Sequence, residues 1–186
     1  MKKAIKEKND NKNIIKFILS YRFFLLLFFC IVLFDQLTKF FLVKFTIPYL
    51  QYNNDIKIIL INNLLQIIFI CNKGAIWGVF PNINYALGVS GFLTIITIIY
   101  VSKHIRFYNI RIQYIFGLIV GGITGNTIDR FLHGCVVDFI SLYFLQYHYP
   151  VFNIADCAIC LGVISYCLIL LNNCLQFLNN TKNRNS

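Results

Sequence analysis

Charge is what this chain has least of. Only 13% of its 186 residues are charged, and seven are acidic. A soluble domain carries about a quarter charged residues, because something must face water. An ordinary cytosolic globule is therefore excluded. So is intrinsic disorder, because disordered segments are poor in apolar residues and 58% of this chain is hydrophobic. No charge at all falls between Lys73 and Lys103. The mean hydropathy is +0.68. On length alone the chain is one domain or two small ones, and its main solvent is lipid.

The charge that is present is mostly positive, with a net value of +10. Lys2, Lys3, Lys6, Lys8, Lys12, Lys16 and Arg22 precede the first long apolar run. Lys103, Arg106 and Arg111 share one short polar break, and Lys182 and Arg184 lie near the end. A nucleic-acid binder would spread such residues over one face with aromatics between them. Here they punctuate hydrophobic spans, as the positive-inside rule requires.

Four spans follow: Tyr21–Leu42, residues 83–101, Ile112–Leu132 and Phe152–Leu171, each long enough to cross a bilayer. A cleaved signal peptide is the competing reading of the first. Asp35, Gln36, Thr38 and Lys39 stand where a small-residue cleavage site would be, so it reads as an uncleaved anchor. The basic clusters place both termini and the 102–111 loop in the cytoplasm, with 43–80 and 133–151 outside.

The expected fold is thus an all-α membrane protein of four transmembrane helices. A small β-containing extracytoplasmic segment lies between helices 1 and 2, where IKIILINNLLQIIFI (56–70) suits strands on the membrane surface. The 133–151 segment reads as an aromatic-rich interfacial stretch. The whole chain, 1–186, is expected to be a single membrane-embedded domain. Residues 1–20 and 173–186 would be cytoplasmic tails, disordered over 1–13 and 179–186.

Four of the seven acidic residues, Asp35, Asp129, Asp138 and Asp156, lie inside or beside the spans, where an ionisable group is costly and functional by default. At ~1.5 Å per residue, Asp35 lies ~20 Å above Arg22, Asp129 ~27 Å above Arg111 and Asp156 ~22 Å above Leu171. Asp138, nine residues after Asp129, belongs to the same outer level. Asp35 and Lys39 are i,i+4 on one face and can pair. Asn126, Asp129 and Arg130 share another face, and Asn153 and Asp156 are i,i+3 at the mouth of the fourth span. Gly117, Gly121, Gly122 and Gly125 let helices approach closely.

Most site chemistries are missing. Neither Ser141 nor Ser165 is read as having a histidine and a carboxylate beside it. His104, His133 and His148 are scattered, and no metal spacing appears. Cys157-x-x-Cys160, beside Cys167 and Cys174 in a span, reads as small packing residues. Paired carboxylates remain. Two that approach closely share a proton, one acting as base and the other as acid toward a water. Spacing alone leaves open which of the four would do so.

The blocks DQLTK (35–39), NKGAIWG (72–78), GGITGNTIDR (121–130), VVDF (136–139) and FNIAD (152–156) resemble, in order, those of the lipoprotein signal peptidases (signal peptidase II), a family of aspartyl proteases. The resemblance implies that Asp138 and Asp156 are the catalytic pair. It also implies that Asp35, Lys39, Asn72, Gly74, Ala75, Asn126, Asp129, Arg130 and Asn153 line or brace the site. Ile76 and Trp77 depart from the family's usual small residue and Phe. The implied substrate is a prolipoprotein whose lipobox cysteine carries a diacylglyceryl group, cleaved just before that cysteine in the bacterial inner membrane. No metal or cofactor is implied, and no nucleic acid.

Rival classes fit less well. A four-span exporter needs a mid-membrane carboxylate in its first span, and the only glutamate is Glu7. A quinone-linked thiol oxidase needs exposed cysteine pairs outside, and only Cys71 and Cys135 lie near that side. A purely structural subunit has no need of Asp138 and Asp156.

Overall fold

The computed structural model of the protein describes residues 20–50, 57–74, 83–102, 109–144 and 147–184. In chain order these form α1 (Arg22–Leu50), β1 (Lys57–Ile61), β2 (Leu65–Asn72), α2 (Asn84–Ser102), α3 (Ile110–His133), β3 (Val136–Phe144), β4 (Tyr147–His148) and α4 (Ile154–Arg184). The molecule is mostly helical, with one small antiparallel sheet in the order β1-β2-β3-β4.

Among the described residues three helices are long and apolar enough to cross a membrane: α1 over Arg22–Thr46, α2 over Asn84–Val101 and α4 over Ile154–Lys182. They carry large apolar side chains outward, among them Phe29, Phe45, Leu93, Ile164 and Leu168. In water such a surface would aggregate; in a bilayer it is the solvated one. The remaining helix, α3, is different because it is central and packs against all three others. Its polar residues can therefore be numerous without meeting lipid.

Small residues make that central position possible. A methyl group added at Gly122 would fall on the backbone carbonyl of Ala155 in α4, and one added at Gly125 would meet the Asp35 carboxylate of α1. Toward its N-terminus α3 forms an apolar cluster instead. Ile112, Ile115 and Phe116 pack with Tyr21, Phe24, Ile98, Ile119, Tyr166 and Ile169. An apolar cleft of about 640 Å³ between α1, α2 and α3 is lined by residues such as Phe28, Phe92 and Phe131, and by none of the acidic ones.

The sheet corrects the sequence reading. The β structure is not confined to the segment between the first two helices, since β3 and β4 follow α3. The stretch read as interfacial, 133–151, thus supplies half of the strands. Its pairing is non-local, with Ile70 opposite Asp138, Cys71 opposite Val137 and Asn72 opposite Val136. Asn63, at φ 56°, makes the turn between β1 and β2, a left-handed conformation that Asn tolerates. Two boundaries also move. The first helix runs on to Leu50, and α4 continues to Arg184, so 179–184 are helical rather than disordered. The expected disorder of 1–13 lies outside the described residues.

Candidate active site

Two local devices bring the polar residues together. Gly134, in the left-handed conformation at φ 69°, ends α3 and turns the chain directly into β3. Asp129, in the last turns of α3, then accepts a hydrogen bond from the Val137 backbone at 3.1 Å. The second device is the start of α4. Phe152 pairs with β3 through Ile140, which leaves Asn153 as the cap of α4. Asp156 N–H donates to Asn153 Oδ1 at 3.0 Å, and Asn153 N–H donates to Asp156 Oδ2 at 3.1 Å. This is a capping box with Asn and Asp in the two roles. A third free amide of that helix end, Ala155 N–H, donates to Asp35 Oδ1 at 2.9 Å. The positive end of the helix therefore faces two carboxylates.

The four carboxylates sort into two kinds. Asp35 and Asp129 are fully buried and share one ammonium: Lys39 Nζ lies 2.7 Å from Asp35 Oδ2 and 2.9 Å from Asp129 Oδ2. Gln36 donates to Asp129 Oδ1 at 2.9 Å. Among the described residues both ion pairs belong to Lys39. The i,i+4 pairing of Asp35 with Lys39 thus extends to a triad across two helices.

Asp138 and Asp156 are held by neutral amides instead. Asn72 Nδ2 donates to Asp138 Oδ2 at 2.9 Å, and Asn153 Nδ2 donates to Asp138 Oδ1 at 2.7 Å. Asn126 Nδ2 donates to Asp156 Oδ1 at 2.7 Å. The two layers meet at Asn126, whose Oδ1 accepts from Lys39 at 3.2 Å and from Asn153 at 3.1 Å. Asp138 is buried, and Asp156 is partly open. Burial first, and then the neighbouring Asp156 charge, push the Asp138 carboxyl from 3.8 up to about 6 against the lowering effect of Asn72 and Asn153. A buried carboxyl with neutral donors can keep a proton that an ion-paired one gives up.

Arg130 closes the site toward the sheet, donating to Asn126 O at 3.3 Å and to Gly74 O at 3.4 Å. Its Nε is buried and has no hydrogen-bond partner among the described residues. Gly74 is tied back to Asn72 Oδ1 at 3.0 Å. Ala75, Ile76 and Trp77 lie outside the described residues. Every other candidate, namely Asp35, Lys39, Asn72, Gly74, Asn126, Asp129, Arg130, Asp138, Asn153 and Asp156, belongs to this one connected network.

Three features escaped the sequence reading. Gln36 is a member of the network, and its position beside Asp35 was the available signal. Cys71 and Cys135 form a disulfide; they are the only cysteines in the two segments expected outside. Ser141, read as lacking a histidine neighbour, has its Oγ 3.3 Å from His148 Nε2, because β4 folds back on β3. Among the described residues no group of three or more His, Cys, Asp or Glu could hold a metal ion.

The chain matches the family described as "Signal peptidase (SPase) II" over residues 27–172. It is 34% identical over 149 residues to the Lipoprotein signal peptidase of Syntrophotalea carbinolica, covering 77% of this chain and 88% of that protein. With the Lipoprotein signal peptidase of Thermodesulfovibrio yellowstonii it shares 34% identity over 140 residues, covering 74% and 87%. A solved structure described as a bacterial membrane enzyme at 2.3 Å superposes with a TM-score of 0.68 and 31% identity, covering 81% of this chain and 88% of that one. A second such structure, at 1.9 Å, gives a TM-score of 0.65 at the same identity. The chain belongs to the signal peptidase II family of proteases.

Proposed function

We propose that this protein is an aspartyl endopeptidase that removes the signal peptide from diacylglyceryl-modified prolipoproteins, cleaving before the lipidated cysteine, with Asp138 and Asp156 as the reacting pair. The division of the four carboxylates carries the reading. Asp35 and Asp129 are occupied by Lys39, whereas Asp138 and Asp156 contact neutral amides and Asp156 is partly open.

In this scheme a water lies between the pair and the scissile carbonyl. Asp156 takes a proton from the water as its oxygen attacks the carbonyl carbon, and the Asp138 proton goes to the carbonyl oxygen. The resulting diol collapses with proton transfer to the leaving nitrogen. Asn72, Asn126 and Asn153 fix the two carboxyls, and Lys39 with Asp35 and Asp129 braces the helices behind them. Gly74 lines the peptide path, and Arg130 steadies it through the Gly74 carbonyl. Proton transfer between carboxyls needs neither metal nor cofactor.

The proposed topology has α3 as a fourth crossing. Its 24 residues span ~36 Å at the helical rise, enough for a bilayer core. With the basic clusters in the cytoplasm of a bacterial cell, both termini are inside and the site lies at the outer face of the inner membrane. The disulfide supports that side, since disulfides persist in oxidising compartments. The acyl chains of a lipidated cysteine can then stay in the bilayer while the peptide enters along the sheet. The whole chain acts as one domain, with 1–20 and 173–186 on the cytoplasmic side. The test is to incubate purified protein with lipidated and unlipidated prolipoprotein. Signal peptide should be released from the lipidated form alone; equal release from both, or none, would overturn the reading.

A further inference from the structure

The Cys71–Cys135 disulfide has no part in the scheme above, yet it lies beside Asn72 on β2 and three residues before Asp138 of β3. Cys71 immediately precedes Asn72, whose side chain holds Asp138 at 2.9 Å. Cys135 precedes the VVD segment that carries Asp138 itself. The bridged Cα atoms are 5.5 Å apart and 64 residues apart in sequence. Hydrogen bonding between β2 and β3 is irregular between Ile67 and Ile70, and the pairs Ile70–Asp138, Cys71–Val137 and Asn72–Val136 lie beyond that break. This short end of the ladder carries Asn72, and the disulfide clamps it. Cys71 is exposed and Cys135 is buried, so a thiol from the aqueous side reaches the Cys71 sulfur first.

We propose that the disulfide is a positioning element that keeps Asn72 on Asp138, and that a dithiol reductant slows hydrolysis by releasing it. The proposal rests on Asp138 being one of the reacting carboxyls. A thiolate of the reductant attacks Cys71 Sγ and forms a mixed disulfide, while the Cys71–Cys135 bond breaks with its electron pair on Cys135, which takes a proton. The reductant's second thiolate then attacks its own sulfur in that mixed disulfide. Cys71 leaves as a thiolate and is protonated, and the reductant departs as a cyclic disulfide. Two electrons and two protons pass to the protein.

Releasing Asn72 removes a hydrogen bond that favours the ionised form of Asp138. The charges acting on Asp138 stay in place: Asp156 from α4, Lys39 from α1 with its partners Asp35 and Asp129, and Arg130 from α3. The Asp138 carboxyl therefore holds its proton to higher pH in the reduced protein. A merely structural bridge would not produce that change.

The experiment compares oxidised and dithiothreitol-reduced protein in the prolipoprotein assay across pH, with Asn72→Ala and a Cys71→Ser/Cys135→Ser double variant alongside. Reduction should lower kcat about ten-fold, the scale of one hydrogen bond to a charged group, with little change in KM. The alkaline limb of the profile should move to higher pH. Asn72→Ala should reproduce both effects and add nothing on reduction, and the double variant should ignore dithiothreitol. Identical profiles before and after reduction, or a double variant that still responds, would overturn the proposal. The Asp138 carboxyl stretch in the infrared, identified by its loss in Asp138→Asn, gives a readout that needs no turnover. An unmoved titration of that band on reduction sinks the role of the disulfide, whereas a moved band without any cleavage sinks the peptidase reading alone.

Discussion

Toward its N-terminus α3 buries Ile112, Ile115, Phe116 and Val120, whereas toward its C-terminus it buries Gly125, Asn126, Thr127 and Asp129. The same helix is thus held mainly by packing at one end, where buried Gln113 also donates to Ser20 O at 2.8 Å, and by hydrogen bonds and ion pairs at the other. Between lipid-facing helices the hydrophobic effect supplies no drive, because the surrounding chains are as apolar as leucine. Apart from Gln113, the residues of the apolar end are then specified by shape, and many side chains of similar size satisfy it. At the polar end each group needs its own partner, because an unpaired buried polar group costs about 1–3 kcal/mol. Substitutions at the first end should change stability mildly, and those at the second should change activity or folding sharply.

The largest effect expected is on the pair. Asp138→Asn and Asp156→Asn keep shape but remove the proton that the proposed pair would share, so each should lower kcat by roughly 10²–10⁴ with the fold retained. If the two act as one unit, the double variant should be little worse than either. Asp129→Asn is the comparison: its loss weakens the Lys39 triad and should impair cleavage without ending it. Normal cleavage by Asp138→Asn beside a dead Asp129→Asn would make the pair Asp129 with Asp156.

Next comes Lys39, which is in direct contact with two buried carboxylates. Lys39→Met leaves both uncompensated, and breaking a buried pair from one side costs about 3–5 kcal/mol. Thermal unfolding in detergent should show that loss, and adding Asp35→Asn should recover part of it. Simple addition of the two losses would mean that the triad is not coupled.

These residues stood out in the sequence because carboxylates are rare here, and the structure joins all four through Lys39, Asn126 and Asn153. Asp35 and Lys39 are a local pair, visible at i,i+4. What was not legible depends on contacts distant along the chain. VVDFISLYF (136–144) becomes a strand only because β2 lies beside it, and no periodicity within 133–151 announces a partner that ends at Asn72. The same pairing brings Cys71 to Cys135, and the return of β4 along β3 brings His148 onto Ser141. The end of α4 misled for the opposite reason. Its asparagines suggested a disordered tail, yet the helix that carries Leu175 and Leu178 continues to Arg184.

The pH profile sharpens the contrast further. Folding raises the Asp138 carboxyl from 3.8 to about 6, so the folded protein binds the extra proton between those values. The resulting stabilisation is complete below 3.8 and is lost as pH rises through about 6. If Asp138 supplies the acid, kcat/KM should fall about ten-fold per pH unit well above that value. Asn72→Ala should move the alkaline limb to higher pH, and a limb that does not move would remove Asp138 from the acid role.

The smallest effect is expected at the apolar end and tests whether the two ends of α3 really differ. Ile115 is buried and packs within the cluster that includes Ile112 and Phe116. Ile115→Val removes one methylene and keeps the branch at Cβ, a change that costs about 0.5–1.5 kcal/mol in a packed core. Within a bilayer the loss is one of dispersion contacts alone, since the group leaves no water behind when it is buried. The cost should therefore sit near the bottom of that range. Unfolding in detergent should register the shift, while kcat and its pH profile should match the parent protein. A kcat that fell with Ile115→Val as far as it falls with Asn126→Ala would show that packing at the apolar end sets the geometry of the polar one, and the helix would have to be treated as a single unit.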